Sequence, residues 1–128
     1  MKTLSPDEIE CLLGIRPCKE HPLDILGYGY TSEGANQFRA EEPDVVGQLE
    51  AYVRSVLRTE GIFPKGTNPD GTGYRTFIRA DGEKFRVSSM EEIGFSRYER
   101  VSSEPMSETE AIRGYIRQVA NPDYVHCN

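Results

Sequence analysis

Tyr74-Arg75-Thr76-Phe77-Ile78-Arg79-Ala80-Asp81-Gly82-Glu83-Lys84-Phe85-Arg86-Val87-Ser88 is the stretch on which the fold turns. Two runs rich in aromatic and β-branched residues, 74–79 and 83–88, flank Ala80-Asp81-Gly82. Asp-Gly between such runs is a tight-turn signal, so the stretch predicts a β-hairpin. A third strand is expected over Phe95 to Ser102, where apolar residues again mix with arginines. Arg75, Arg79, Arg86, Arg97 and Arg100 all fall on these strands. A sheet of this composition buries one face and wets the other.

Helices are expected on either side of the hairpin. Upstream, Pro43 suits a first helical position, and Val46, Leu49, Val53, Val56 and Leu57 make one continuous apolar face that Gly61 ends. Glu41, Glu42 and Asp44 then crowd the positive end of that helix. Between helix and hairpin, residues 61–73 are dense in glycine and proline and predict a loop. Downstream, Ser107 and Glu110 form a capping box ahead of Ile112, Tyr115, Ile116 and Val119. Near the N-terminus, Ser5, Pro6 and Glu8 give the same start signal for a short helix with Ile9, Leu12 and Leu13 on one side and Gly14 at its end. Residues 15–40 are interrupted by Pro17 and Pro22. There, 23–30 reads as a short strand weakened by glycines and 31–36 as a loop.

These elements predict an α+β fold. It has a small antiparallel sheet of about three to four strands, including the 74–88 hairpin, with two to three helices packed on one face. At 128 residues the chain is expected to form a single compact domain over 1–128. Apolar residues at 37% and charged residues at 28% fit a soluble globular chain. No apolar run reaches the roughly 20 residues of a membrane helix, and acid at Asp7 and Glu8 interrupts any signal-peptide pattern. The odd count of cysteines, Cys11, Cys18 and Cys127, without a secretory signal predicts reduced thiols and a cytoplasmic location.

The net charge of −6 is lopsided. Residues 1–60 hold eleven acids against six bases, and residues 61–128 ten against nine. Such a surface suits a basic partner and repels nucleic acid and anionic membranes. Five of the eleven acids, Asp7, Glu8, Glu41, Glu42 and Asp44, fall at expected helix starts, where the dipole already favours them.

Motifs for chemistry are sparse. Cys18, His21, His126 and Cys127 could together ligate zinc, but no paired C-x-x-C knuckle is present, so no metal is expected. Cys18 with His21 is poorly spaced for a nucleophile and its base. The stretch Gly66-Thr67-Asn68-Pro69-Asp70-Gly71-Thr72-Gly73 lacks the Gly-Lys-Ser/Thr ending of a phosphate loop and precedes a strand instead of a helix. No cofactor motif and no catalytic pair emerges.

By elimination the sequence points to a non-enzymatic protein-binding domain, antitoxin- or immunity-like, that occludes a basic toxin or nuclease. Glu33, Glu41, Glu42, Asp44, Asp70 and Tyr74 are the candidate partner-binding residues, carboxylates steering the encounter and Tyr anchoring it. A second reading is a small-molecule enzyme or anionic-ligand-binding domain in which Arg75, Arg79 and Arg97 line a pocket on the sheet and grip the anion bidentately. A third is a homodimeric structural subunit joined along an exposed strand edge.

Overall fold

A computed structural model describes residues 3–17, 20 and 22–119. They divide into two compact units, one within residues 3–52 and 116–119 and the other within 53–115.

The first unit begins with α1 (Pro6–Leu12). Ser5 Oγ accepts from the Glu8 amide and Glu8 Oε1 accepts from the Ser5 amide, each at 3.2 Å, which completes the expected capping box. Gly14 follows in the left-handed region at φ 73°. Ile9 and Leu13 are buried. Residues 15–40 depart from expectation. Instead of a strand over 23–30 and a loop over 31–36, the chain makes a short helix, α2 (Pro22–Ile25), and a longer one, α3 (Ser32–Glu41). The cause is a local cap and a non-local core. Thr31 is extended, and its hydroxyl accepts from the Gly34 amide at 2.9 Å. Ala35 and Phe38, one helical turn apart, are buried with Leu23 and packed by Leu12, Tyr28, Val45 and Val46. Gly34 is required there, because a Cβ would collide with the carbonyls of Tyr28 and Gly29.

Helix α4 (Pro43–Glu60) follows after one residue and runs on into the second unit. Its first half is tied to α1: the Tyr52 hydroxyl donates to Glu10 Oε1 at 2.9 Å, and Gln48 Oε1 accepts from the Leu4 amide at 2.6 Å. Cys11 is half-buried and disulfide-bonded, so the expectation of reduced thiols fails at this position. Its partner lies outside the described residues, as do all four residues of the zinc reading, Cys18, His21, His126 and Cys127.

The second unit is built on a four-stranded antiparallel sheet: β1 (Ile62–Phe63), β2 (Phe77–Asp81), β3 (Lys84–Gly94) and β4 (Arg97–Ser102), in that order. The hairpin is present with a tighter turn than expected. Asp81 pairs with Lys84, so Gly82 (φ 65°) and Glu83 alone make the connection. Strand β3 continues to Gly94, and Phe95-Ser96 form the next turn, so β4 starts at Arg97 and not at Phe95. The expected 61–73 loop opens with β1, which pairs Phe63 with Ile78.

Side chains alternate across this register. Phe63, Ile78 and Val87 point to one face, where Phe63 meets Tyr115 of α5 (Glu108–Val119) edge-on at 5.4 Å. Val53, Leu57, Ala111 and Ile112 are buried with them, making this the helix-covered side of the α+β fold. Ser107 caps α5 as expected, its Oγ accepting from the Glu110 amide at 3.2 Å, but Glu110 Oε1 accepts from the Ser107 hydroxyl at 2.9 Å and so does not complete the expected box. Arg54 Nε and Arg58 Nη2 reach Glu108 Oε1 at 2.7 and 3.2 Å, tying α4 to α5. No helix among the described residues is long and apolar enough to cross a membrane.

Two stability tests follow from this packing. The Tyr115 hydroxyl is buried with no hydrogen-bond partner, and burial pushes its pKa far up. Tyr115→Phe should therefore be neutral or stabilising by up to about 1 kcal/mol, whereas Tyr115→Ala should cost ~3–5 kcal/mol, read by urea unfolding. A clear loss in the Phe variant would show that the hydroxyl is bonded. The second test concerns Glu108. Burial alone would raise its carboxyl, but the hydrogen bonds and charges of Arg58 and Arg54 outweigh it and hold the group below its ordinary value. A depressed folded pKa stabilises above the ordinary carboxylate range and is lost as acid protonates the group. Glu108→Gln should cost about 1 kcal/mol at neutral pH, a cost that shrinks as acid is added.

Candidate functional site

The sheet face opposite the helices carries Phe77 and Arg79 of β2, Arg86 and Ser88 of β3, and Arg100 and Ser102 of β4, because these residues pair in register. Phe77 is only 3% exposed although its register points it away from the face that α4 and α5 cover. The 64–76 segment covers it instead. Gly71, at φ 77°, lies against the Phe77 ring, and a Cβ there would collide with the ring's Cζ and Cε atoms. The loop is braced internally: the Gly71 amide donates to the Asn68 carbonyl at 2.7 Å, Asn68 Nδ2 donates to Thr72 Oγ1 at 2.7 Å, and Asp70 Oδ1 accepts from the Thr72 amide at 3.0 Å. Hydrogen bonds from Thr72, together with the charge of Arg79, hold the Asp70 carboxyl below its ordinary value. Arg100 fastens the end of the loop. Its Nη2 donates to the Tyr74 carbonyl at 3.0 Å and its Nη1 to the Arg75 carbonyl at 3.4 Å, while its guanidinium lies 4.8 Å from the Phe77 ring centre.

Beside this plug is an open groove of about 240 Å³, lined by Asp70, Phe77, Arg79, Ala80, Asp81, Arg86, Ser88, Arg100 and Ser102. Arg79 sits 5.9 Å from the Phe77 ring, and its Nη2 is shielded from solvent with no hydrogen-bond partner. Arg86 Nε donates to Asp81 Oδ2 at 2.6 Å and its Nη1 to the Ser103 carbonyl at 3.0 Å. Ser88 and Ser102 share a hydrogen bond of 2.7 Å across the strands.

Beyond the groove, β3 and β4 continue as an arm. Residues 91–99 are all exposed, and Phe95 at the turn is 95% exposed. Ile93, Tyr98 and Val101 are large apolar residues left in solvent on the same ribbon. Ser96, at φ 56°, closes its turn.

The residues singled out from sequence are distributed unequally. Asp70 and Arg79 line the groove, and Tyr74 adjoins it through its carbonyl bond to Arg100. Arg75 contributes its carbonyl to the same clamp, and neither Arg75 nor Arg97 lines the groove. Arg97 starts β4 on the exposed arm. Glu33, Glu41, Glu42 and Asp44 belong to the first unit. Glu33 and Asp44 sit in first helical turns, as dipole electrostatics favours. Glu41 ends α3, so it does not simply start a helix. Glu42 accepts from the Tyr28 hydroxyl at 3.1 Å and is half-buried, which gives it a structural task. The sequence places Arg86 and Arg100 on strands without assigning them to the ligand-gripping set, and it does not mark out the arm. The signal for Arg86 was available: a two-residue turn at Gly82-Glu83 puts it directly opposite Arg79. Among the described residues no cluster of three or more His, Cys, Asp or Glu is placed to hold a metal ion.

Compared with models of protein families, with curated proteins and with solved structures, the chain matches none.

The plug predicts a contrast between two glycines of positive φ. Gly71→Ala adds a clash with Phe77 to the backbone strain and should cost about 2 kcal/mol or more. Gly82→Ala, with open space at its Cβ, should show the strain alone, about 1 kcal/mol. Equal losses in urea unfolding would mean that the loop does not rest on Phe77.

Proposed function

We propose that this chain is a non-enzymatic protein-binding domain that presents the β3–β4 arm to a basic partner. The observation that carries the reading is Phe95, left 95% exposed at the arm's turn. Aromatic side chains that reach a partner's pocket dominate binding energies, and a short two-stranded ribbon holds one out at little entropic cost. Ile93, Tyr98 and Val101 add apolar area around it. The charge of the arm supports a basic partner. Glu91 pairs directly with Glu99 across the ribbon, and like charges opposite each other are unfavourable until a cation joins them; Glu92, opposite Tyr98, adds a third carboxylate on the other face. The antitoxin- or immunity-like form of this proposal has the arm occluding a basic toxin or nuclease.

Binding is favoured over catalysis because the groove's reactive groups are already engaged. The two carboxylates of the lining, Asp70 and Asp81, are bonded to Thr72 and Arg86, and each serine hydroxyl is bonded to the other serine. Strand β4 is also a sheet edge, which favours self-association as a second reading. Location is a separate matter: the disulfide at Cys11 argues against the cytoplasmic setting expected from the cysteine count.

The test compares the wild-type chain with Phe95→Ser and with Glu91→Lys/Glu92→Lys/Glu99→Lys in capture from the source cell, followed by binding with the purified partner. A basic protein should be captured, and Phe95→Ser should weaken it by roughly 30-fold, as expected for loss of an aromatic anchor. The charge variant should slow association and flatten its salt dependence. A partner that binds Phe95→Ser as tightly as wild type would overturn the reading. A concentration-dependent mass that Phe95→Ser abolishes would instead favour the homodimer.

A further inference from the structure

We propose that the groove on the helix-free face of the sheet binds the carboxylate of a small molecule between Arg79, Arg86 and Arg100. This inference is independent of the arm, since it concerns different side chains.

Register creates the need for an anion. Arg79 stands directly opposite Arg86, so two guanidinium groups are held side by side on one face. Arg100 brings a third to the same groove. Arg86 and Arg100 are each partly engaged, Arg86 by Asp81 and the Ser103 carbonyl and Arg100 by the two carbonyls of the loop end. Arg79 is different. It is packed near Phe77, it feels the Asp70 carboxylate through space, and its Nη2 is out of solvent with no acceptor. A desolvated donor without a partner is unfavourable, and an anion alongside it repairs the deficit.

Charge balance selects the class of anion. Three guanidinium groups and two carboxylates line the groove, leaving one positive charge. That excess matches a single carboxylate better than a doubly charged sulfate. Geometry agrees, because the planar guanidinium fork pairs with the planar carboxylate through two parallel hydrogen bonds.

The experiment titrates the intact chain with acetate, with sulfate and with chloride at matched ionic strength, reading the arginine Nε–Hε signals by NMR. Acetate should shift the Arg79, Arg86 and Arg100 signals along one saturating curve, and chloride should not. Arg79→Gln should weaken acetate binding about tenfold or more, as expected for loss of a charge-assisted bidentate pair. Arg79→Lys, which keeps the charge but not the fork, should lose most of that affinity. Unchanged backbone amide signals in the hairpin would show that both variants fold, and Phe95→Ser should bind acetate like wild type. Absence of saturation, equal responses to acetate and chloride, tighter binding of sulfate than acetate, or an undiminished response in Arg79→Gln would each overturn the proposal.

Discussion

A phenylalanine on the helix-free side of a small sheet has to be covered, and much of the second unit is arranged around covering Phe77. The helices occupy the other face, where Phe63, Ile78 and Tyr115 form the core. Phe77 is left to the 64–76 segment, which can lie close enough only because Gly71 has no side chain. That segment has no regular hydrogen-bond ladder of its own, so its polar groups are satisfied by turns and by Arg100. Arg100 thus does two things at once. It closes the backbone bonds of the loop end, and it lays a flat, weakly hydrated cation on the ring it helps to cover. The groove is a consequence. It lies where the covering segment gives way to the arginines on either side of the ring.

How much of this was legible depends on whether the signal was local. The starts of α1 and α5 were readable because a cap and its partner lie three residues apart, and α4 because its apolar spacing is long and regular. The hairpin was readable from Asp81-Gly82, but its turn is one residue shorter than the composition suggested. That single residue decides the register, and with it that Arg79 faces Arg86. The helix α3 was not readable as such. Gly34 and Asn36 look like loop residues, and the reason for Gly34 is the backbone of Tyr28 and Gly29 pressed against it. Strand β1 was equally hidden, being two residues whose only reason to be extended is the pairing of Phe63 with Ile78. Arg100 could be placed on a strand, but its acceptors are 25 and 26 residues away.

The acidic half of the chain changes meaning once its residues are placed. Glu42 is committed to Tyr28, and burial together with that bond raises the tyrosine's pKa. Glu10 is committed to Tyr52 and Arg16. Glu33 and Asp44 sit where a helix dipole welcomes them. Much of the excess acid there therefore supports local structure, and a count of charges along the chain overstates the surface available to a partner. Glu91, Glu92 and Glu99 on the arm have no such local task, and they lie in the half of the chain that is nearly neutral.

Like charges opposite each other are the informative residue of this sheet. Cross-strand pairs usually alternate in sign, because opposed side chains lie close enough for repulsion to be felt. Here the ladder opposes Arg79 with Arg86 near the root and Glu91 with Glu99 on the arm. Neither pair is required by burial, since both glutamates are exposed and the arginines lie on the face without helices. At the root, Asp81 relieves one member of the pair and Asp70 acts on the other through space. On the arm, Glu91 and Glu99 stand in solvent beside a fully presented phenylalanine. Repulsion inside each pair works against the stability of this sheet; at the root two carboxylates of the same face offset it, whereas on the arm it is weakened only by solvent.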